Sequence, residues 1–185
     1  VRGMAIQQYG SFFGMTPETA NKLVKALENE QNPFVLKEGI RTLSNELRND
    51  AVKALVLGKI DNADKEVRKA VALSVGSSWS KGVDGVKEAA LKLMGDSDED
   101  VRKTMLGYVG QLADDSFVPE LEKVLNDPAQ GKFHGDAMRS LYTMWYDYPM
   151  HKNTSKAAYE ACLKYLKTTP RTKDIPAWQA IGGIS

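Results

Sequence analysis

The sequence contains little of what most active sites and metal centres are built from. It has one cysteine and two histidines among 185 residues, so this chain alone cannot form a disulfide framework or a cysteine-based zinc site. A glycine-rich phosphate loop, a Gly-x-Ser-x-Gly elbow and a His-Glu-x-x-His helix are also missing from it. We therefore expect no catalytic set, no cofactor and no metal site in this chain.

The sequence also lacks an excess of charge of one sign and a long apolar run. Lys and Arg number 25 and Asp and Glu number 24, so the chain as a whole offers no long-range field to attract nucleic acid or an anionic membrane. No stretch approaches the roughly 18 to 20 apolar residues of a membrane-spanning helix, and no signal core is visible. The compartment stays open, with the cytoplasm slightly favoured.

What the sequence does contain is a pattern that returns about every 33 residues. Its units start near residues 1, 35, 67, 101 and 133. Each unit contains an apolar residue, a small residue three or four positions later, and then a second apolar residue. Val67-Arg68-Lys69-Ala70-Val71 is an example. Such a period is typical of helical repeat proteins, in which one helix pair cannot bury its apolar face alone and stacks on a copy of itself.

Within each unit the apolar spacing is helical, and the helices should end at the breaks between apolar stripes. Thr16-Pro17 is one such break, with a capping residue followed by proline at the first helical position. After the first pair, the spacing predicts helices near 34–48 and 50–60, 65–78 and 83–94, 99–113 and 117–126, and 133–147 and 154–167. The prediction is an all-α chain, an α-solenoid of about five stacked antiparallel helix pairs that form one domain over 1–185.

The two ends of the chain suggest that it continues beyond this sequence. It starts without Met and inside a repeat, so we expect a fragment of a longer protein, in which Ile6, Tyr9 and Phe13 contact preceding repeats or a neighbouring chain. Residues 175–185 look like the opening of a sixth unit or a partial cap.

The third and fourth units carry a family resemblance. Val67-Arg68 with Gly76, and Val101-Arg102 with Gly110, each follow an Asp-rich turn, and in this they resemble HEAT repeats, in particular the short HEAT-like type of bacterial repeat proteins, as in bilin lyases. The resemblance implies a curved solenoid whose second helices line the concave side. It also implies a ladder in which a turn Asp and a first-helix Arg bridge adjacent repeats, here Asp64 with Arg68 and Asp98 or Asp100 with Arg102.

Two surfaces are candidates for partner binding. The second helices carry lysines that a solenoid could align into a basic stripe along the concave face, although glutamates dilute it and solvated helix faces often have this composition. These lysines are Lys25, Lys53, Lys87, Lys92 and Lys123. The other candidate is an aromatic insertion in the fifth unit, over 145–153. Trp145 continues a helical spacing and is expected to pack at least partly inside, whereas Tyr148 and His151 form the exposed part of this edge.

The remaining reactive side chains are expected to be structural. Cys162 lies near the apolar stripe of its helix, so we expect a small buried core residue and not a nucleophile. His134 and His151 lie 17 residues apart, and nothing in their spacing demands a metal, so we expect both to be surface histidines.

The leading functional hypothesis is a non-catalytic scaffold that binds a protein partner, or another domain of its parent chain, through the concave face or the aromatic edge. One alternative is nucleic-acid binding, including base excision as in the HEAT-like DNA glycosylases, which requires a basic channel. Another is an enzyme of the bilin lyase kind, which requires a deep pocket with placed polar groups. The sequence does not name the partner.

Overall fold

The computed structural model describes residues 4–6, 8, 14–147, 152–153 and 155–169. Its contacts divide the chain into two compact units, Val1–Arg102 (unit 1) and Lys103–Ser185 (unit 2). The proposed cap over 175–185, together with Tyr9 and Phe13, lies outside the described residues, and the prediction of a single domain stays a prediction.

Unit 1 consists of helices joined by short turns. Residues 4–6 and 8 are helical. The helices that follow are α1 (Pro17–Leu27), α2 (Pro33–Thr42), α3 (Asp50–Leu57), α4 (Lys65–Val75), α5 (Val86–Met94) and α6 (Glu99–Tyr108), the last of which ends in unit 2. First helices pack on first helices and second helices on second helices, since α2 contacts α4 and α1 contacts α3. This is the stacking that the period predicts.

The starts of these helices are capped by side chains. Each capping oxygen accepts from backbone amides of the first turn, which removes donors that would otherwise lack a partner. The capping residues are Thr16 for α1, Asn32 for α2, Asn49 for α3 and Asp64 for α4. Asp98 does the same for α6, accepting from the amides of Asp100 and Val101 at 2.9 and 3.3 Å. The acidic turns are therefore first of all helix caps.

Unit 2 is also helical but less regular. It contains α7 (Val118–Asn126), α8 (His134–Trp145) and α9 (Lys156–Thr168), with 3₁₀ turns at Val109–Leu112, Asp115–Phe117 and Pro128–Phe133. Two-residue strands, β1 (Tyr146–Asp147) and β2 (Lys152–Asn153), pair antiparallel within the predicted insertion. Helix α8 packs on both α7 and α9.

The structure confirms the all-α prediction and changes several predicted helix limits, three of which have a clear local reason. The helix predicted to reach 48 ends at Thr42, and tight turns follow it. The helix predicted to start near 83 starts at Val86, because Gly82 and Gly85 have φ of 72° and 80°, a left-handed backbone that no helix continues. The helix predicted over 99–113 changes to a 3₁₀ turn after Tyr108.

The reason for this last change is a close approach between two backbones in unit 2. The amide of Gly110 donates to the Ser140 hydroxyl at 3.0 Å, and that hydroxyl donates to the carbonyl of Leu106. A Cβ at position 110 would lie only 2.7 Å from the Cα of Ser140. Glycine is therefore required here by the packing of α8 against the end of the preceding helix.

Candidate interaction surfaces

The second helices of unit 1 enclose a shallow apolar groove between α1 and α3. The groove has a volume of about 320 Å³ and is lined by Val24, Glu28, Ala51, Ala54, Leu55, Gly58 and Lys59. Ala51 and Ala54 are exposed. Because alanine and glycine leave the helix backbones accessible, the α1–α3 groove offers an apolar floor between one acidic and one basic side chain. An apolar floor of this kind suits the apolar face of an amphipathic helix.

The predicted basic stripe is largely neutralised by local ion pairs. The ammonium groups of Lys53, Lys92 and Lys123 lie 2.9, 2.6 and 2.7 Å from carboxylates of Asp50, Asp61 and Glu120, respectively. The remaining two lysines of the set, Lys25 and Lys87, are exposed and form no ion pair with a described residue. The structure thus leaves two separate unpaired charges where the prediction places a continuous stripe.

The ladder arginine of unit 1 has a different partner from the one that the resemblance implies. Arg68 Nε and Nη2 donate to the two carboxylate oxygens of Asp96 at 2.8 and 2.9 Å, while Nη1 donates to the carbonyls of Asn62 and Ala63. Asp64 is used as the cap of α4. The bridge joins adjacent turns through Asp96, whereas the resemblance implies a bridge through Asp64.

The Arg68–Asp96 pair is well shielded from water. Only 13% and 9% of the two side chains are exposed, and the guanidinium hydrogen bond lowers the pKa of the Asp96 carboxyl below its ordinary value. The pair lines a polar cavity of about 380 Å³, beside the Lys92–Asp61 pair. Arg68 pairs with Asp96 and Lys92 pairs with Asp61, so these four charged groups already have partners and the two pairs join neighbouring turns.

The carboxylates predicted for the second rung also contact groups other than Arg102. Asp98 accepts amides at the start of α6 and lies 3.4 Å from the ammonium of Lys65, which is equally close to Asp100. These carboxylates raise the pKa of Lys65. Asp98 thus serves both Lys65 and the start of α6.

The aromatic cluster of unit 2 packs mainly on itself. The Trp145 ring lies 4.9 Å from the Tyr159 ring and 5.7 Å from the Tyr142 ring, and Tyr142 stacks on Tyr146 at 5.6 Å. Trp145 is half-buried by these contacts, as its helical spacing predicts. Tyr148 and His151, the part of the edge expected to be exposed, lie outside the described residues.

The other reactive side chains of unit 2 have structural roles. Cys162 is 2% exposed, and burial raises the pKa of its thiol to about 12, so at neutral pH it is a protonated core residue. His134, expected at the surface, is half-buried and bonds to the Tyr165 hydroxyl at 2.8 Å and to the Asp127 carbonyl at 3.1 Å. It ties the start of α8 to α9.

Two aromatic side chains that the sequence did not single out are the most exposed ones described. Trp79 is 62% exposed and Phe34 51% exposed. The Lys37 ammonium lies 5.1 Å from the centre of the Phe34 ring, which covers part of that ring. The clue to Trp79 in the sequence is its position in a loop between serines, outside any apolar period.

The described residues contain no group of three or more His, Cys, Asp or Glu side chains that could hold a metal ion. Among the same residues, no helix combines the length and the apolar character needed to cross a membrane.

Comparison with known families identifies the repeat. Residues 52–141 match the model of HEAT repeats, a segment that runs from α3 into α8. A comparison with curated proteins gives no match.

Proposed function

We propose that this chain, whose residues 52–141 belong to the HEAT-repeat family, is a non-catalytic scaffold that binds a protein partner through the second-helix face of unit 1. HEAT repeats generally mediate protein interactions, and a repeat fold by itself specifies neither a reaction nor a partner. The proposal assigns the partner, or a further domain of the parent chain, to the α1–α3 groove.

The observation that carries this proposal is the exposed apolar floor of that groove. Ala51 and Ala54 face outward on α3, where a surface helix normally carries long polar side chains. Leu91 on α5 is 39% exposed. A partner that buries these small and apolar residues would remove apolar surface from water at little cost in side-chain entropy, since alanine has no rotamers to lose.

The charges of the second helices support a protein partner over a nucleic acid. A nucleic-acid surface needs several unpaired cations in register with phosphates, whereas Lys53, Lys92 and Lys123 are paired with carboxylates. No observation specifically favours base excision or a bilin lyase activity, and of these alternatives the affinity capture can detect nucleic-acid binding.

The test is affinity capture with the whole chain as bait, washed at low and at high salt, in parallel with Ala54→Glu. The substitution adds a charged side chain to the groove floor without removing a buried group, and circular dichroism checks that the helices persist. We expect a protein that survives the high-salt wash and is lost with Ala54→Glu. The control is Ala26→Glu. Ala26 is an exposed alanine on α1 that does not line the α1–α3 groove, so this variant should capture the same protein at the wild-type level.

Two results would overturn the proposal. One is capture of the same protein by Ala54→Glu at the wild-type level. The other is nucleic acid as the main captured material, lost as the salt concentration rises, since electrostatic binding to phosphates falls steeply with salt.

A further inference from the structure

The loop between α4 and α5 in unit 1 holds its tryptophan in a fixed position. The Ser77 hydroxyl accepts from the Trp79 amide at 3.3 Å and donates to the Asn45 amide oxygen at 3.2 Å. Ser80 is fully buried, and its hydroxyl donates to the carbonyl of Ser74 at 2.7 Å. The residues on both sides of Trp79 are thus anchored, one of them to the preceding repeat.

The Trp79 ring itself is left open on this anchored loop. It is 62% exposed, the second most exposed of the large hydrophobic side chains described, after Met4. In the part of the chain that the structure describes, its side chain makes no hydrogen bond and no ring contact. An indole on a rigid loop loses little entropy when it is covered and also offers one N–H donor, and tryptophan dominates binding hot spots for these reasons.

The charges beside Trp79 are positive. Arg48, in the loop between α2 and α3, is exposed and donates from Nη2 to the carbonyl of Lys81 at 2.9 Å, and Lys81 is itself exposed. Two exposed cations therefore belong to the loop edge that carries Trp79. Of the acids in the two loops, Glu46 is half-buried, and Asp84 acts on the Lys53 ammonium, whose pKa is raised mainly by Asp50 and to a smaller extent by Asp84.

We propose that this loop edge, formed by Arg48, Trp79 and Lys81, docks an acidic peptide segment whose apolar side chain covers the Trp79 ring while its carboxylates meet the two cations. Charge complementarity selects this occupant, since a basic segment would be repelled by both cations. Two cations are too few to follow a phosphate backbone. The inference rests on the proposed scaffold function but uses a separate surface from the α1–α3 groove.

The test uses the whole chain and two synthetic peptide libraries of equal length. One library places a varied apolar residue among Asp and Glu, and the other places it among Lys and Arg. We expect the acidic library alone to be retained and Trp79→Ala to weaken retention at least about tenfold, as for a hot-spot tryptophan. The double variant Arg48→Gln/Lys81→Gln should retain less of the acidic library, and the remaining retention should depend less on salt. Phe34→Ala, which removes the other strongly exposed aromatic ring of unit 1, should leave retention unchanged.

Every other outcome contradicts the proposal. Retention of neither library, equal retention of both, or retention that persists in Trp79→Ala would remove this edge as a docking site. If the chain retained a single-stranded DNA oligonucleotide in a Trp79-dependent way, and not the acidic peptides, the occupant of this edge would be a nucleic acid and the proposal would be wrong. Since Ala54→Glu does not touch this edge, failure here leaves the groove proposal standing, and failure of the groove leaves this one standing.

Discussion

The two units of the chain differ in where they place their aromatic side chains. The two most exposed aromatic rings among the described residues, Phe34 and Trp79, both belong to unit 1, whose described core is aliphatic. In unit 2, Phe117, Phe133 and Tyr165 are buried in the core. An aromatic ring inside a core is committed to packing, whereas one left outside a complete core is available for recognition. The difference supports the proposal that unit 1 binds a partner, although Tyr108 and Tyr159 of unit 2 are also partly exposed, at 39% and 37%.

The units also join their repeats differently. In unit 1 the turns are joined by the shielded Arg68–Asp96 pair. In unit 2 the joint is a close backbone contact between Gly110 and Ser140. The first joint depends on charge and therefore on pH, while the second depends on the absence of a side chain. The four predictions that follow use these differences, from the largest expected effect to the smallest.

Gly110→Ala should destabilise unit 2 most strongly. The new Cβ would lie 2.7 and 2.8 Å from the Cα and the carbonyl carbon of Ser140, and a backbone cannot yield as a flexible side chain can. We expect a loss of about 3 kcal/mol in the free energy of unfolding, measured by urea denaturation. The matched control is Gly131→Ala, whose Cβ would meet nothing within 4 Å. Equal effects of the two substitutions would disprove the close contact as the joint.

Arg68→Met should cost about 2 kcal/mol at neutral pH, because it leaves the shielded Asp96 carboxylate without its partner. The pKa of Asp96 is lowered in the folded chain, so the pair stabilises above the ordinary Asp value of about 3.9 and this stabilisation is lost as the pH falls through the lowered pKa. The cost should therefore shrink in acid.

Urea denaturation at neutral pH and at a pH below about 3 measures this cost for Arg68→Met. Lys92→Gln, which breaks the exposed pair with Asp61, should change little at either pH. A cost for Arg68→Met that is the same at both pH values would show that Arg68 acts through its packing and not through its charge.

The two described tryptophans should respond differently to truncation. Trp145→Ala removes a half-buried ring that contacts Tyr142 and Tyr159, and we expect a loss of about 1.5 kcal/mol, less than for a fully buried tryptophan. Trp79→Ala should change the free energy of unfolding by no more than about 0.5 kcal/mol. Thermal and urea denaturation of both variants measure this, and a large loss from Trp79→Ala would place that ring among the packing residues.

Asp136→Asn should give the smallest effect, a stabilisation of about 1 kcal/mol or less at neutral pH. Burial raises the pKa of the Asp136 carboxyl, against the opposing charges of Lys103 and Arg139. The pKa of Asp136 is higher in the folded chain than in the unfolded chain. The stability that this carboxyl contributes is therefore present at pH values below its pKa in the unfolded chain and is lost as the pH rises through its pKa in the folded chain. The advantage of Asp136→Asn over the wild type should therefore grow with pH in urea denaturation. An advantage that is independent of pH would contradict this origin.

The sequence predicts those features of the fold that depend on the periodic burial of apolar residues. The apolar spacing located every described helix pair, and it predicted that Trp145 packs, because a residue in register with a buried stripe has its neighbours specified. It could not identify the partner of Arg68. Asp96, Asp98 and Asp100 occupy one turn, and only the local geometry assigns Asp98 to the helix amides and Asp96 to the guanidinium.

The exposed Trp79 was missed for a related reason. A single aromatic residue in a loop has no periodic neighbours, so its exposure depends on side-chain bonds within and between loops. The serine contacts that fix this loop, from Ser77 to Asn45 and from Ser80 to Ser74, join residues through the folded backbone. No spacing rule predicts them.

The most direct test of the central claim, that unit 1 binds and the aromatic cluster of unit 2 packs, is hydrogen exchange of the chain with and without its captured partner. The account predicts slower exchange on binding at residues 51–59 of the groove or 77–82 of the Trp79 loop, with no change at 142–147 and 155–159. Slower exchange confined to the aromatic cluster of unit 2 would contradict it.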